Sequence, residues 1–99
     1  MTNHIMPTYQ RLPVTFVRGS GAWLWDDQDR RYLDALSGIA VCSLGHAHPK
    51  VHQAICKQSE TLLHTSNLYN IAVQEQLANV LTEKSGMDNV FFSNSGAEA

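Results

Sequence analysis

Val90-Phe91-Phe92-Ser93-Asn94-Ser95-Gly96-Ala97-Glu98-Ala99 is the stretch on which the reading of this 99-residue chain turns. Three apolar residues after the Asp88-Asn89 turn predict a short buried strand. The chain then enters a run of Ser, Asn and Gly, where Ser95 and Glu98 fit the S-x-x-E capping box of a helix start. Strand, small-residue turn and helix N-terminus in that order read as an anion site. The first N–H groups of a helix lack internal partners, and the macrodipole places partial positive charge there. Gly96 has no Cβ to keep a phosphate oxygen away from the main chain. An ordinary capped helix with no ligand is the competing reading, and the motif by itself does not separate the two. Only Gly96 to Ala99 remain to build that helix, whereas isolated helices below about 12 residues are marginal. A helix start with almost no helix behind it predicts that the sequence is a slice of a longer one.

Working backwards, residues Val73 to Lys84 carry Leu77, Val80 and Leu81 on one stripe, and Gly86 is placed to stop the helix. An earlier helix is predicted from Pro49, which suits a first helical position because its missing N–H costs nothing there. Val51, Ala54, Ile55, Gln58 and Leu62 fall at i, i+3, i+4, i+7 and i+11. Before it, Ser37 to Gly45 is small and apolar with glycine near each end, a segment suited to packing against backbone or lining a pocket. At the N-terminal side, Val14-Thr15-Phe16-Val17 predicts a strand broken by Gly19-Ser20-Gly21. Trp23-Leu24-Trp25 and Arg31-Tyr32-Leu33-Asp34 flank the Asp26-Asp27-Gln28-Asp29 turn as a hairpin. Trp23, Trp25 and Tyr32 are expected to bury in that small sheet.

Composition agrees with a slice. Hydrophobic residues make up 43% of the chain and charged residues 16%, against a usual charged share of about 25%. A free-standing domain of this size needs more surface charge, because most of its residues lie outside. Seven basic and nine acidic residues give a net charge of -2, which argues against a nucleic-acid or anionic-membrane footprint. No apolar run approaches the roughly 20 residues needed to cross a bilayer. Met1 to Pro7 has neither a basic n-region nor an apolar h-region, so no signal peptide is expected. Cys42 and Cys56 lack C-x-x-C spacing and read as free thiols. A soluble cytoplasmic protein is the expectation.

Two chemical constellations are set aside. His46, His48 and His52 cluster around Pro49, but no Cys or carboxylate sits at ligand spacing, so no metal is expected. Ser37, His46 and Asp34 name the members of a hydrolase triad without the G-x-S-x-G elbow that would present the serine.

Four blocks now carry a resemblance: Leu36-Ser37-Gly38-Ile39-Ala40-Val41, Leu44-Gly45-His46-Ala47-His48-Pro49, His64-Thr65-Ser66-Asn67-Leu68-Tyr69 and Phe92-Ser93-Asn94-Ser95-Gly96-Ala97-Glu98-Ala99. In this order, over nearly the whole chain from about Pro7, they resemble the N-terminal quarter of the class III pyridoxal-phosphate aminotransferases. The resemblance implies an α/β chain that is the N-terminal part of a type I pyridoxal-phosphate transferase fold. Residues 1–66 would be a small-domain segment with its connecting helix, and residues 67–99 the start of the large doubly wound domain. It implies pyridoxal 5'-phosphate as cofactor, held by Ser95, Gly96 and Ala97. It puts Ile39, Ala40 and Val41 in a loop near the substrate mouth, and Asn67 to Tyr69 in a loop near the cofactor and the partner subunit of a homodimer. The Asn67-Leu68-Tyr69 and Ile39-Ala40-Val41 blocks favour N-acetylornithine as amino donor and 2-oxoglutarate as acceptor. Ornithine, succinylornithine and 4-aminobutyrate are the alternatives, as is a non-catalytic product that acts only by association. The Schiff-base lysine and the carboxylate beside the pyridine nitrogen would lie beyond residue 99. Lys50, Lys57 and Lys84 match neither, so no catalytic residue is expected here.

Overall fold

The computed structural model describes residues 4–99; residues 1–3, part of the stretch read above as lacking a leader, lie outside them. The chain divides into two compact units, residues 1–60 and 61–99.

The first unit opens with a three-stranded antiparallel sheet in the order β1 (Phe16–Ser20), β2 (Trp23–Asp26), β3 (Arg31–Leu33). The β1 strand starts and ends later than its apolar pattern predicts. Gly19 and Ser20 pair with Leu24 and Trp23 instead of breaking the strand, and the register slips between Phe16 and Arg18. The reversal falls at Gly21, whose φ of +55° suits a residue without a Cβ. The second hairpin is as expected, with Trp23, Leu24 and Trp25 opposite Leu33, Tyr32 and Arg31. Its aromatic rings are not buried in the way the sequence suggests. Trp23 is exposed, and the guanidinium groups of Arg31 and Arg18 lie 4.4 and 3.8 Å from the Trp23 and Trp25 ring centres. A three-stranded sheet is too small to cover large rings on both faces, and cations do so instead. Tyr32 is half-buried and meets Phe16 edge to face at 5.3 Å.

The α1 segment (Ser37–Ala40) is a single turn with the wrong hand. Ser37, Gly38, Ile39 and Ala40 have φ of 53°, 64°, 62° and 61°. Left-handed backbone costs about 1–2 kcal/mol for each residue with a Cβ, and a β-branched residue such as Ile39 is rare there. The α2 helix (Pro49–Thr61) begins at the expected proline.

The second unit is built around α3 (Ala72–Ser85), which ends as the sequence predicts. Gly86 adopts the left-handed C-cap at φ 72°, and its N–H donates to the Thr82 carbonyl. The predicted strand at 90–92 has no ladder partner and is not a strand. A strand exists only through its neighbours, and the second unit supplies none among the described residues.

The apolar stripes of both helices lie open. Ile55 is 63% and Leu77 50% exposed, and no described hydrophobic residue is buried. The chain exposes 9352 Å². Two separate compact proteins of 60 and 39 residues would together expose at most about 6,700 Å².

Candidate functional site

The turn that the sequence singles out lies in the second unit. Here the carbonyl of Ser95 accepts the N–H groups of Glu98 at 3.1 Å and Ala99 at 3.2 Å, which is one helical turn and no more. The reciprocal capping box does not form. The Glu98 carboxylate reaches one residue too far back, taking the Asn94 N–H at 2.8 Å, and the Ser95 hydroxyl donates to it at 3.4 Å instead of accepting the Glu98 N–H. The N–H groups of Ser95, Gly96 and Ala97 donate to nothing among the described residues. A Cβ on Gly96 would have nothing within 4 Å, so the main chain is bare on that side. Three free donors, one hydroxyl and an open glycine suit a phosphate. The Glu98 carboxylate occupies the adjoining Asn94 N–H and the Ser95 hydroxyl, and leaves the three main-chain donors free.

The other predicted site residues fall in two places. Ile39 and Ala40 close the left-handed turn of the first unit, Val41 follows with right-handed backbone, and all three are exposed, Ile39 at 81%. Asn67 and Tyr69 are exposed on a tight turn of the second unit. There Ser66, at φ +76°, accepts the Leu68 N–H on its hydroxyl and the Tyr69 N–H on its carbonyl, both at 3.3 Å.

Two carboxylates to which the sequence assigns no place in the site organise the first unit. Asp26, 1% exposed, accepts four hydrogen bonds: from the main-chain N–H of Gln28 (3.0 Å) and Arg30 (2.8 Å), from Arg30 Nε (2.7 Å) and from the Tyr32 hydroxyl (3.0 Å). Burial alone would raise its pKa. The donors outweigh burial and hold the carboxyl at about 2, against an ordinary 3.8. The same contact raises the pKa of Arg30 and of Tyr32.

Asp34 is the second. Its Oδ2 lies 2.6 Å from His46 Nε2, and its Oδ1 accepts the N–H groups of Leu36 (3.0 Å) and Ser37 (2.8 Å). The bond to His46, then the one to Ser37, keeps this carboxyl below its ordinary range. An ionised carboxylate only accepts, so Nε2 carries the proton. The His46 main chain exchanges two hydrogen bonds with Gly21, at 2.8 and 3.0 Å. Asp at i with donors at i+2 and i+3 is an Asx-turn signature, the cue in the sequence that marks Asp34 as structural. Two of the three supposed triad members thus meet, but His46 spends Nε2 on the aspartate, and the Ser37 group held by Asp34 is its N–H.

The histidine cluster does not converge. His52 lies beside Cys56, with Sγ 3.9 Å from both ring nitrogens, and His48 Nδ1 is buried without a partner. Among the described residues no three His, Cys, Asp or Glu side chains could share a metal ion. No helix of the described residues is long and apolar enough to cross a membrane.

Residues 5–99 match the sequence profile of the aminotransferase class-III family. The chain is 64% identical over 97 residues to the acetylornithine aminotransferase of Nitrosomonas europaea. It is 55% identical over 97 residues to that of Halalkalibacterium halodurans. In each case 98% of this chain and 25% of the relative are covered. Among solved structures, the acetylornithine aminotransferase of Elizabethkingia anophelis superposes with a TM-score of 0.91 at 35% identity. The ornithine δ-aminotransferase of Plasmodium falciparum does so with a TM-score of 0.91 at 33% identity. Each covers 96% of this chain and 25% of the other. The chain therefore spans about a quarter of the length of the relatives it matches. Its small antiparallel sheet and helices are those of the N-terminal part of that fold, and the chain belongs to the class-III aminotransferases.

Proposed function

We propose that the polypeptide carrying these residues is a pyridoxal-phosphate aminotransferase that moves the amino group of N-acetylornithine to 2-oxoglutarate in arginine synthesis, as a cytoplasmic homodimer. The observation that carries this reading is the 52–64% identity, over nearly the whole chain, to relatives named acetylornithine aminotransferase. Ornithine as donor is the second reading, since ornithine aminotransferases superpose with a TM-score of 0.91, equal to that of an acetylornithine aminotransferase.

In this reading residues 1–66 belong to the small domain and residues 67–99 begin the large one. When bound, the cofactor supplies an electron sink for the carbon that bears the amino group. The Ser95, Gly96 and Ala97 N–H groups and the Ser95 hydroxyl bind and orient its phosphate, with the open face of Gly96 allowing main-chain approach. Ile39, Ala40 and Val41 form an apolar wall that excludes water at the substrate mouth, and Asn67 and Tyr69 form a second wall beside the partner subunit. The lysine that moves protons lies outside residues 1–99, so these residues alone do not turn over.

The test is a comparison of amino donors by the full-length enzyme, following glutamate formation from 2-oxoglutarate. N-acetylornithine should give the highest kcat/KM among N-acetylornithine, ornithine, succinylornithine and 4-aminobutyrate. A higher value for ornithine would replace the first reading with the second, and no transfer from any of them would refute both. The phosphate turn has its own test. Gly96→Asp places a negative charge and a side chain where the phosphate docks, and should weaken cofactor binding by about 100-fold or more. Titration followed at the visible absorbance of the bound cofactor measures this, and unchanged affinity would remove residues 95–97 from the site.

A further inference from the structure

The left-handed turn at Ser37–Ala40 is the most strained backbone in the described residues, with four successive positive φ angles of which only one belongs to glycine. Short-range hydrogen bonds close it: the Leu36 carbonyl accepts the Ile39 and Ala40 N–H groups, and the Ser37 carbonyl accepts that of Cys42. None of these bonds sets the hand of the turn, since a right-handed turn would make similar ones at lower cost.

What differs is how the two ends are tied. At the entrance, Asp34 is anchored to the sheet by its own N–H on the Ala22 carbonyl at 2.8 Å, and its Oδ1 receives Leu36 and Ser37. At the exit, His46 is clamped to Gly21 by its main chain. The Asp34 Oδ2 to His46 Nε2 bond of 2.6 Å then joins entrance to exit across the base of the loop, with only 8% of the Asp34 side chain and 21% of the His46 side chain exposed. Gly19 makes room for that side chain, since a Cβ there would fall 2.7 Å from His46 Cβ and Cγ, and Gly45 lets the main chain approach Gly21, whose Cα a Cβ would meet at 3.0 Å.

We infer that Asp34 and His46 are positioning residues for catalysis: their bond is a latch that holds the Ser37–Ala40 turn in its left-handed form and so presents Ile39, Ala40 and Val41 to the substrate. The inference rests on the reading of residues 39–41 as a wall of the substrate mouth. With the latch broken, the turn relaxes toward right-handed backbone, and the Ile39 side chain leaves its place on the wall.

The experiment uses the full-length enzyme and two variants that cut the bond from opposite sides. His46→Ala removes the ring. Asp34→Ser keeps a short acceptor for the Leu36 and Ser37 N–H groups but cannot reach His46. In both, amide exchange at Ile39, Ala40 and Cys42 should speed up by about tenfold or more while the paired amides of β2 and β3 stay protected. The KM for the amino donor should rise several-fold, with cofactor absorbance retained and kcat changed less. Adding Ser37→Gly, which lowers the cost of positive φ, should recover part of the lost protection in either variant. Wild-type exchange at 39–42 in a folded variant would overturn the latch whatever the activity. Faster exchange with an unchanged KM would keep the latch and overturn the substrate-wall reading instead. If His46→Ala also loses β2–β3 protection, Asp34→Ser decides the matter.

Discussion

Asp26 shows how one side chain can set a turn. Four donors converge on it, two from the main chain of the Asp27–Arg30 reversal, and Asp29 in that turn takes a positive φ of 58°. Because the folded pKa of about 2 lies below the ordinary 3.8, the carboxylate stabilises the hairpin fully above about pH 4, and that contribution fades as pH falls through 2. Hairpin amide protection factors, each measured rate being divided into its intrinsic rate at that pH, should fall between pH 5 and pH 2. Asp26→Asn should flatten the profile and leave the Arg30 and Gln28 N–H groups exchanging on the order of tenfold faster at pH 6. A profile unchanged by Asp26→Asn would mean that another group governs the acid transition. By contrast Arg18–Asp29, also at 3.0 Å, is an exposed pair, and its loss should be nearly silent in stability.

Among the elements, local sequence marks the ends of the long helices and the β2–β3 hairpin well, and the bounds of β1 and the run at 90–92 poorly. The α2 start at Pro49 and the α3 stop at Gly86 were legible because a proline and a left-handed glycine act within their own turn. The β1 strand was misplaced because Gly19 looks like a breaker locally, yet it is required there to let His46 approach. Gly19→Ala should therefore destabilise the first unit by about 1–3 kcal/mol, since the new methyl forces the His46 ring out of its place. A thermal melt of the full-length enzyme with no loss of midpoint would count against that tight packing. The strand expected at 90–92 and the reciprocal box at 95–98 failed for a related reason. A three-residue apolar run needs a ladder partner, and a cap needs a helix behind it.

At the scale of the whole molecule the decisive quantity is uncovered apolar surface. An exposed area of 9352 Å², with no described hydrophobic residue buried, leaves little hydrophobic free energy to oppose chain entropy. The 99-residue polypeptide on its own should bind a hydrophobic dye strongly and melt without a cooperative transition. A sharp calorimetric peak from a monodisperse monomer would contradict this. The stripes that carry Ile55 and Leu77 lie open in a chain that spans about a quarter of the length of the relatives it matches.

The amino-acid order by itself determined the family, the two long helices, the β2–β3 hairpin and the small-residue turn at 93–98, since each depends on motifs or periodicities a few residues long. The left-handed turn at 37–40, the Asp34–His46 bond and the clasp of Gly21 on His46 were decided only in three dimensions. The bonded partners stand 12 and 25 positions apart, and no local propensity would choose positive φ for Ser37, Ile39 and Ala40 within one turn. Such strain is held only where distant groups, brought together by the fold, hold both ends of the segment that bears it.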